Sequence, residues 1–206
     1  MEEDRRGHWN KVYSNKRPEE LTWFQARPEA SLSIIRKAAM GAEARIIDVG
    51  GGTSLLTATL LEDGFRNLSV LDVSDRALEV ARSLLEPDSP EIEWFTSDLT
   101  DFEPPHQWDL WHDRAVFHFL TGKEDRNSYR RVLNASVEPS GHVVIATFAL
   151  DGPERCSGLE VVRYCPESLH AELGTRYELC GSVDETHRTP GGGTQKFVYS
   201  WFRKLW

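Results

Sequence analysis

Short apolar runs alternate with stretches whose apolar positions recur every three or four residues, and this alternation organises most of the chain after Pro28. Leu32, Ile35 and Ala39 predict a helix opened by Pro28 and stopped by Gly41. Residues 45–49 form a short apolar run ending in glycines, the mark of a buried strand, and 53–61 continue as a helix closed by Gly64. The pattern repeats with a strand over 67–72, then a helix capped by Ser74 that carries Leu78, Ala81 and Leu85. Pro87 and Pro90 break the chain before strands at 92–95 and 108–112. Thr121 and Glu124 stand at capping-box spacing ahead of a helix with Tyr129, Val132 and Leu133. A turn at 139–141 precedes a buried strand at 142–148, and Pro166 opens a short helix ended by Gly174. Strands at 176–183 and 196–202 flank a glycine-rich loop. Strand alternating with helix predicts a parallel sheet covered on both faces, and the closing strand pair adds an antiparallel edge.

Residues 1–27 do not fit that alternation. They are polar, yet hold His8, Trp9, Tyr13, Trp23 and Phe24, more aromatic side chains than a solvated tail needs. With 206 residues, the chain suits one domain with one core. The balance of 24 Lys and Arg against 33 Asp and Glu, net −9, argues against non-specific nucleic-acid binding. No apolar run reaches the ~20 residues of a membrane helix, and no signal peptide is readable behind Met1. Cys156, Cys165 and Cys180 lack metal-ligand spacing and a disulfide framework, so a reducing cytoplasm is expected and no metal.

The most informative segment is Asp48-Val49-Gly50-Gly51-Gly52-Thr53, a strand end, a glycine turn and a helix start. Glycines permit positive φ and let a ligand approach the backbone. A dinucleotide fingerprint would place glycines at 50, 52 and 55, but position 55 is Leu, which disfavours a nicotinamide cofactor. Asp48 sets a carboxylate beside the loop, which suits a cationic centre better than phosphates. Asp72 ends the second strand, the usual place for an acid that accepts ribose hydroxyls. Asp98 follows the third strand, where it could accept an adenine amino proton.

These residues, with Ser97-Asp98-Leu99 and Trp108-Asp109-Leu110, resemble the class I methyltransferases that use S-adenosylmethionine (SAM), across residues 45–150. The resemblance implies a Rossmann-like α/β fold: a seven-stranded, mostly parallel sheet with helices on both faces and an antiparallel last strand. It implies SAM as cofactor and S-adenosylhomocysteine (SAH) as product. Asp48, Gly50, Gly51, Gly52 and Thr53 would line the methionine end, Asp72 and Val73 the ribose, and Asp98 and Leu99 the adenine. A single methyltransferase domain over 1–206 is expected, with residues 1–27 as an aromatic lid and 28–206 as the SAM-binding core.

The acceptor is narrowed mainly by exclusion. Trp111-His112-Asp113-Arg114-Ala115 follows the fourth strand where methylases of nucleic-acid bases carry Asn/Asp-Pro-Pro-Tyr/Phe. Asp113-Arg114-Ala115-Val116, Asp125-Arg126-Asn127-Ser128-Tyr129, Trp9-x-x-x-Tyr13 and Trp23-Phe24-Gln25 resemble steps in thiopurine S-methyltransferases and their bacterial relatives. That likeness implies a lid in which Trp9 and Trp23 cover SAM. His112, Asp113 and Arg114 are the candidate catalytic residues: imidazole titrates near neutrality, and Arg114 could pair an anionic acceptor. His118, on an apolar helix, is a further base candidate that reads equally as a core histidine; His187 precedes a glycine loop that suits a pocket rim or a hairpin tip; Cys156 and Cys165 border the loop expected beside the acceptor. The expected reaction is methyl transfer to a small-molecule thiol, amine or similar nucleophile, by a monomer or weak homodimer with no membrane partner. A protein-lysine methyltransferase and a non-catalytic SAM-binding regulator are the alternatives.

Overall fold

The computed structural model describes residues 5–38, 41–85 and 92–206. Ala39, Pro87 and Pro90, assigned above to a helix and a chain break, lie outside them, as do the first four residues of the expected lid. Nine strands and six α-helices follow in chain order among the described residues: α1 (Arg5–Asn15), α2 (Glu29–Lys37), β1 (Arg45–Val49), α3 (Leu56–Glu62), β2 (Asn67–Asp72), α4 (Asp75–Ser83), β3 (Glu93–Thr96), β4 (Trp108–Arg114), α5 (Lys123–Ser136), β5 (Val137–Phe148), the two-residue strands β6 (Arg155–Cys156) and β7 (Leu159–Glu160), α6 (Pro166–Leu173), β8 (Tyr177–Arg188) and β9 (Thr194–Lys204). Seven of the strands form one sheet in the order β3-β2-β1-β4-β5-β9-β8. β1 to β5 run parallel, and β9 lies antiparallel between β5 and β8. This is the expected sheet.

Strand alternation divides the core in two. Ile46, Val70, Leu110 and Val144 pack with Leu32 and Ile35 of α2, Leu56 and Leu60 of α3, and Leu78 of α4. On the other face Ile47, Leu71, Trp111 and Ile145 pack with Tyr129, Val132 and Leu133 of α5 and Leu169 of α6. Both faces of the central strands are thus buried, which is why these strands read as continuous apolar runs.

Several expected boundaries move for local reasons. Ser74 caps α4 as expected, its Oγ accepting from the Ala77 N–H at 3.0 Å. The Thr121–Glu124 capping box does not form: α5 begins one residue later, with Gly122 at its N-cap and no side-chain cap. Arg126 instead donates to the carbonyls of Leu120 and Thr121, holding the chain that enters the helix. The turn at 139–141 lies inside β5, where Ser140 takes φ +67° and the register against β4 slips between Trp108 and Leu110. His118 sits on a 3-10 turn (Phe117–Phe119) rather than a longer helix. No helix among the described residues is long and apolar enough to cross a membrane.

Candidate functional site

A cleft opens at the carboxyl edge of β1 to β4, the position where parallel α/β sheets bind ligands. Two adjoining cavities make it up. The first is lined by Asp72, Val73, Asp98, Leu99, Val116 and Phe119, and by Arg5, Trp9 and Tyr13 of α1. The second is lined by Asp48, Gly51, Thr53, Ser54 and His112, with Phe24 and Gln25. Trp23, Gly50 and Arg114 line both.

The glycine loop is shaped by close approach. Gly50 has φ +63° and Gly52 φ +48°, conformations costly for other residues. A Cβ on Gly50 would strike the Val116 side chain, and one on Gly52 would strike the Tyr13 hydroxyl. At Gly51 a Cβ would lie 2.7 Å from Val70 Cγ1 and 2.9 Å from Asp48 Oδ2. The loop therefore lies flat against β2, with the Gly50 N–H donating to the Leu71 carbonyl.

Asp48 and His112 are Cα partners across the β1–β4 ladder, so their side chains meet on one sheet face. His112 Nδ1 lies 2.7 Å from Asp48 Oδ1, and its Nε2 lies 2.9 Å from the Ser31 hydroxyl of α2. Both ring nitrogens are engaged and the ring is buried, so His112 does not present a free base to a substrate. Asp48 Oδ2 is buried without a partner. A carboxylate oxygen left open beside a glycine loop can receive a cationic group.

Asp72 lies on β2, buried, its Oδ1 accepting from the Ser74 N–H at 2.8 Å. Burial raises its pKa to about 7 against the pull of backbone N–H groups at Ser74, Gly52 and Val73, with Asp48 adding repulsion. Asp98 is half-buried and engaged by Arg5 Nη1 at 3.2 Å, by the Thr100 N–H at 2.9 Å and by the Thr100 hydroxyl at 2.8 Å. These contacts outweigh burial and lower its pKa. Arg5 Nη2 also pairs with Asp125 of α5, so one guanidinium joins α1 to two acids at the cleft mouth.

Asp113 departs from expectation. Alternation turns it to the face opposite His112 and Arg114, where it is fully buried. Its Oδ1 accepts from the N–H groups of Val116 and Phe117, and its Oδ2 from the Tyr129 hydroxyl at 2.8 Å. It braces the turn after β4 and lines neither cavity. His118 is likewise buried, its Nδ1 accepting from the Phe148 N–H, and desolvation holds its pKa down at about 3. His187 binds the Thr22 carbonyl at 2.8 Å. Cys156 lines the first cavity and is buried, its thiol pushed up to about 11.

Arg114 reaches the cleft. Its Nε donates to the Tyr199 hydroxyl at 2.8 Å and its Nη1 to the Trp23 carbonyl at 3.1 Å, with the guanidinium 4.4 Å over the Phe197 ring. Trp9 packs edge-on against Trp23 and Phe119, so α1 and the segment after it roof the first cavity with aromatic rings. Sequence reasoning passed over Arg5, Ser31, Glu185, Gln195 and Tyr199. Gln195 and Phe197 stand two apart at the start of β9, which the period-two pattern could have directed to the cleft.

A family model described as "Methyltransferase domain" matches residues 46–141. Over 101 residues the chain is 31% identical to the N-terminal Xaa-Pro-Lys N-methyltransferase 1 of Danio rerio, covering 48% of this chain and 45% of that protein. The chain spans less than half the length of the curated relatives it matches. The fold is similar to NodS, an N-methyltransferase of Bradyrhizobium japonicum solved with SAH, with TM-score 0.71 and 18% identity over 95% of this chain and 97% of that one. It is also similar to a structure from work on the conversion of a disulfide into a thioacetal in echinomycin biosynthesis, with TM-score 0.79 and 16% identity over 98% and 92%. Among the described residues no cluster of His, Cys, Asp or Glu could hold a metal ion. Residues 46–141, with the sheet order and the glycine turn after β1, are thus similar to the methyltransferase domain, and the chain shares its fold with solved methyltransferases.

Proposed function

We propose that the chain binds SAM in this cleft and transfers its methyl group to a small-molecule nucleophile, leaving SAH. The carrying observation is the convergence of Asp48, Asp72 and Asp98 from three successive strand ends on one cleft beside a glycine loop. The residues fit the cofactor: Asp48 Oδ2, buried and unpartnered, suits its ammonium; Asp72 suits two ribose hydroxyls; Asp98 and Leu99 suit the adenine. Bound SAM supplies an electrophilic methyl on a sulfonium, so the protein's work is to orient the acceptor and exclude water.

Residues 5–25 act as the lid. Trp9, Tyr13 and Trp23 cover the cleft, and three ties support closure: Thr22 O to His187, Trp23 O to Arg114, and Gln25 Nε2 to Glu185 at 2.8 Å. The same aromatics carry the local likeness to thiopurine S-methyltransferases, and the narrow aromatic walls support a small acceptor. A protein amine is the second reading, favoured by the zebrafish relative's name; it calls for an open acidic groove. Calorimetric titration with SAM and SAH tests the cofactor reading. Micromolar binding that Asp72→Ala weakens at least tenfold, with the fold intact by circular dichroism, supports it; no binding by the wild-type chain sinks it.

A further inference from the structure

The first cavity runs on past the groups that fit SAM. Sheet order sets its direction: Asp98 follows β3 and Asp72 ends β2, whereas Arg114 ends β4, Cys156 follows β5 and Gln195 lies at the start of β9. β9 is antiparallel to β5, so its first residues reach the same sheet edge as the carboxyl ends of the parallel strands. Gln195 therefore stands at the end of the cavity remote from the adenine and ribose positions, beyond Arg114. Trp23, Phe119 and Phe197 supply apolar walls to the same cavity. A methyl acceptor has to occupy the end that the adenosine leaves free.

Gln195 is 9% exposed, and its Oε1 is buried with no hydrogen-bond partner. The polar groups around it are engaged elsewhere. His187, its partner across the β8–β9 ladder, binds the Thr22 carbonyl, and the adjacent Lys196 pairs with Asp151. Buried polar atoms are nearly always satisfied, so an orphaned acceptor on a cavity wall points to a ligand that donates to it. The same amide carries N–H donors beside its oxygen. A group that matches both must itself offer an N–H next to a C=O.

The charges at this end narrow the ligand further. Arg114 faces Glu185 at 3.6 Å and is held by the Tyr199 hydroxyl and the Trp23 carbonyl, so its charge is already met. Burial pushes the Cys156 thiol up to about 11, which keeps it protonated and neutral near pH 7. A cation or anion set beside Gln195 would give up its water without meeting an unpaired counter-charge. A neutral polar group gives up less and recovers it from the amide. We infer that the methyl acceptor carries a neutral carboxamide-type group, an N–H beside a C=O, that docks edge to edge on the Gln195 amide. Its apolar part lies against Trp23, Phe119 and Phe197. Gln195 is thus a specificity-determining residue: it selects and orients the acceptor and takes no part in the bond changes of transfer.

This inference rests on the SAM reading above, and its test separates the two. SAH-loaded protein, isotope-labelled for nitrogen NMR, is titrated with benzamide, N,N-dimethylbenzamide, benzoate and benzylammonium, which share a ring and differ in donor and charge. One neutral hydrogen bond to a buried acceptor should make benzamide bind about fivefold more tightly than its dimethyl analogue. It should also bind at least about tenfold more tightly than either ion. The side-chain amide signal of Gln195, identified by its loss in Gln195→Leu, should shift as benzamide binds. Gln195→Leu should weaken benzamide about fivefold and change SAH affinity by less than about threefold, since SAH meets its carboxylates at the other end of the cleft. Gln195→Glu keeps the shape and adds an unpaired charge, so it should turn the preference toward benzylammonium, a gain that a misfolded variant cannot show. No binding of benzamide, equal binding of its dimethyl analogue, or unchanged benzamide affinity in Gln195→Leu overturns the inference and leaves SAM binding standing. Tightest binding of benzylammonium by the wild-type chain overturns it in favour of the protein-amine reading. Failure of the wild-type chain to bind SAH overturns the cofactor reading, and this inference with it.

Discussion

Asp72 offers the most quantitative test of how the cleft receives SAM. In the free protein its buried carboxyl titrates at about 7, so near neutrality it is half protonated. Ribose hydroxyls donate hydrogen bonds and therefore favour the carboxylate, which means that SAM binding must expel the proton wherever the free protein holds one. With a free-state pKa of about 7, protonation reaches ~0.9 at a pH one unit lower, and binding there should release close to one proton. The sign is fixed: affinity is full above about pH 8 and falls as pH drops through 7. Between about pH 8 and pH 5.5 the dissociation constant should rise roughly thirtyfold, or about 2 kcal/mol at ~1.36 kcal/mol per unit. Calorimetry in two buffers of different ionisation enthalpy measures both the affinity and the protons released. Asp48 lies nearby and is tied to His112, so Asp72→Asn is the necessary control: it should bind more weakly, without proton release and with a flat profile over that range. A wild-type profile already flat, with no proton exchange near pH 6, would refute the assignment of Asp72 to the ribose.

Three further outcomes separate binding roles from structural ones. His112→Leu leaves the buried Asp48 carboxylate without its partner, a loss of about 1–3 kcal/mol, and should weaken SAM binding about tenfold or more by calorimetry; His112→Asn, which can still donate, should recover part of it. Asp113→Asn breaks the brace between the β4 turn and Tyr129, and should lower thermal stability by about 1–3 kcal/mol while leaving SAM affinity within about threefold. Arg5→Ala removes a half-exposed pair worth no more than about 1 kcal/mol, so the melting temperature should barely move, but stopped-flow fluorescence should show faster SAM association and release as α1 loosens from Asp98 and Asp125.

The architecture was legible because each central strand is buried on both faces and each following helix is apolar on one. Ile46 with Ile47, and Leu110 with Trp111, divide between the two cores as a parallel sheet requires. The three acids were legible for a related reason: strand ends in such a sheet converge on one edge, so Asp48, Asp72 and Asp98 could be brought together without knowledge of any contact. α1 was not legible as a helix, since Tyr13 is its single buried residue and its polar face gives no period; only the aromatic content marked it. β8 and β9 extend past their expected ends because hairpin pairing continues to Arg188 and Thr194 whatever the side chains, which is how Glu185 and Gln195 came to lie by the cleft.

Three consecutive ionisable residues show where residue type stops being informative. His112, Asp113 and Arg114 are each chemically capable of catalysis, and as a run they looked equivalent. Period two separates them at once: 112 and 114 share a face with Asp48, while 113 points into the α5 core. The remaining division needs contacts between residues far apart in sequence. His112 is consumed because Ser31 arrives from α2, 81 positions earlier, to take its second nitrogen. Arg114 is held because Tyr199, Trp23 and Glu185 come to it from β9, the segment after α1 and β8, with Glu185 Oε2 3.6 Å from its Nη2. The chemistry open to the acceptor end thus depends on which partners are used up elsewhere.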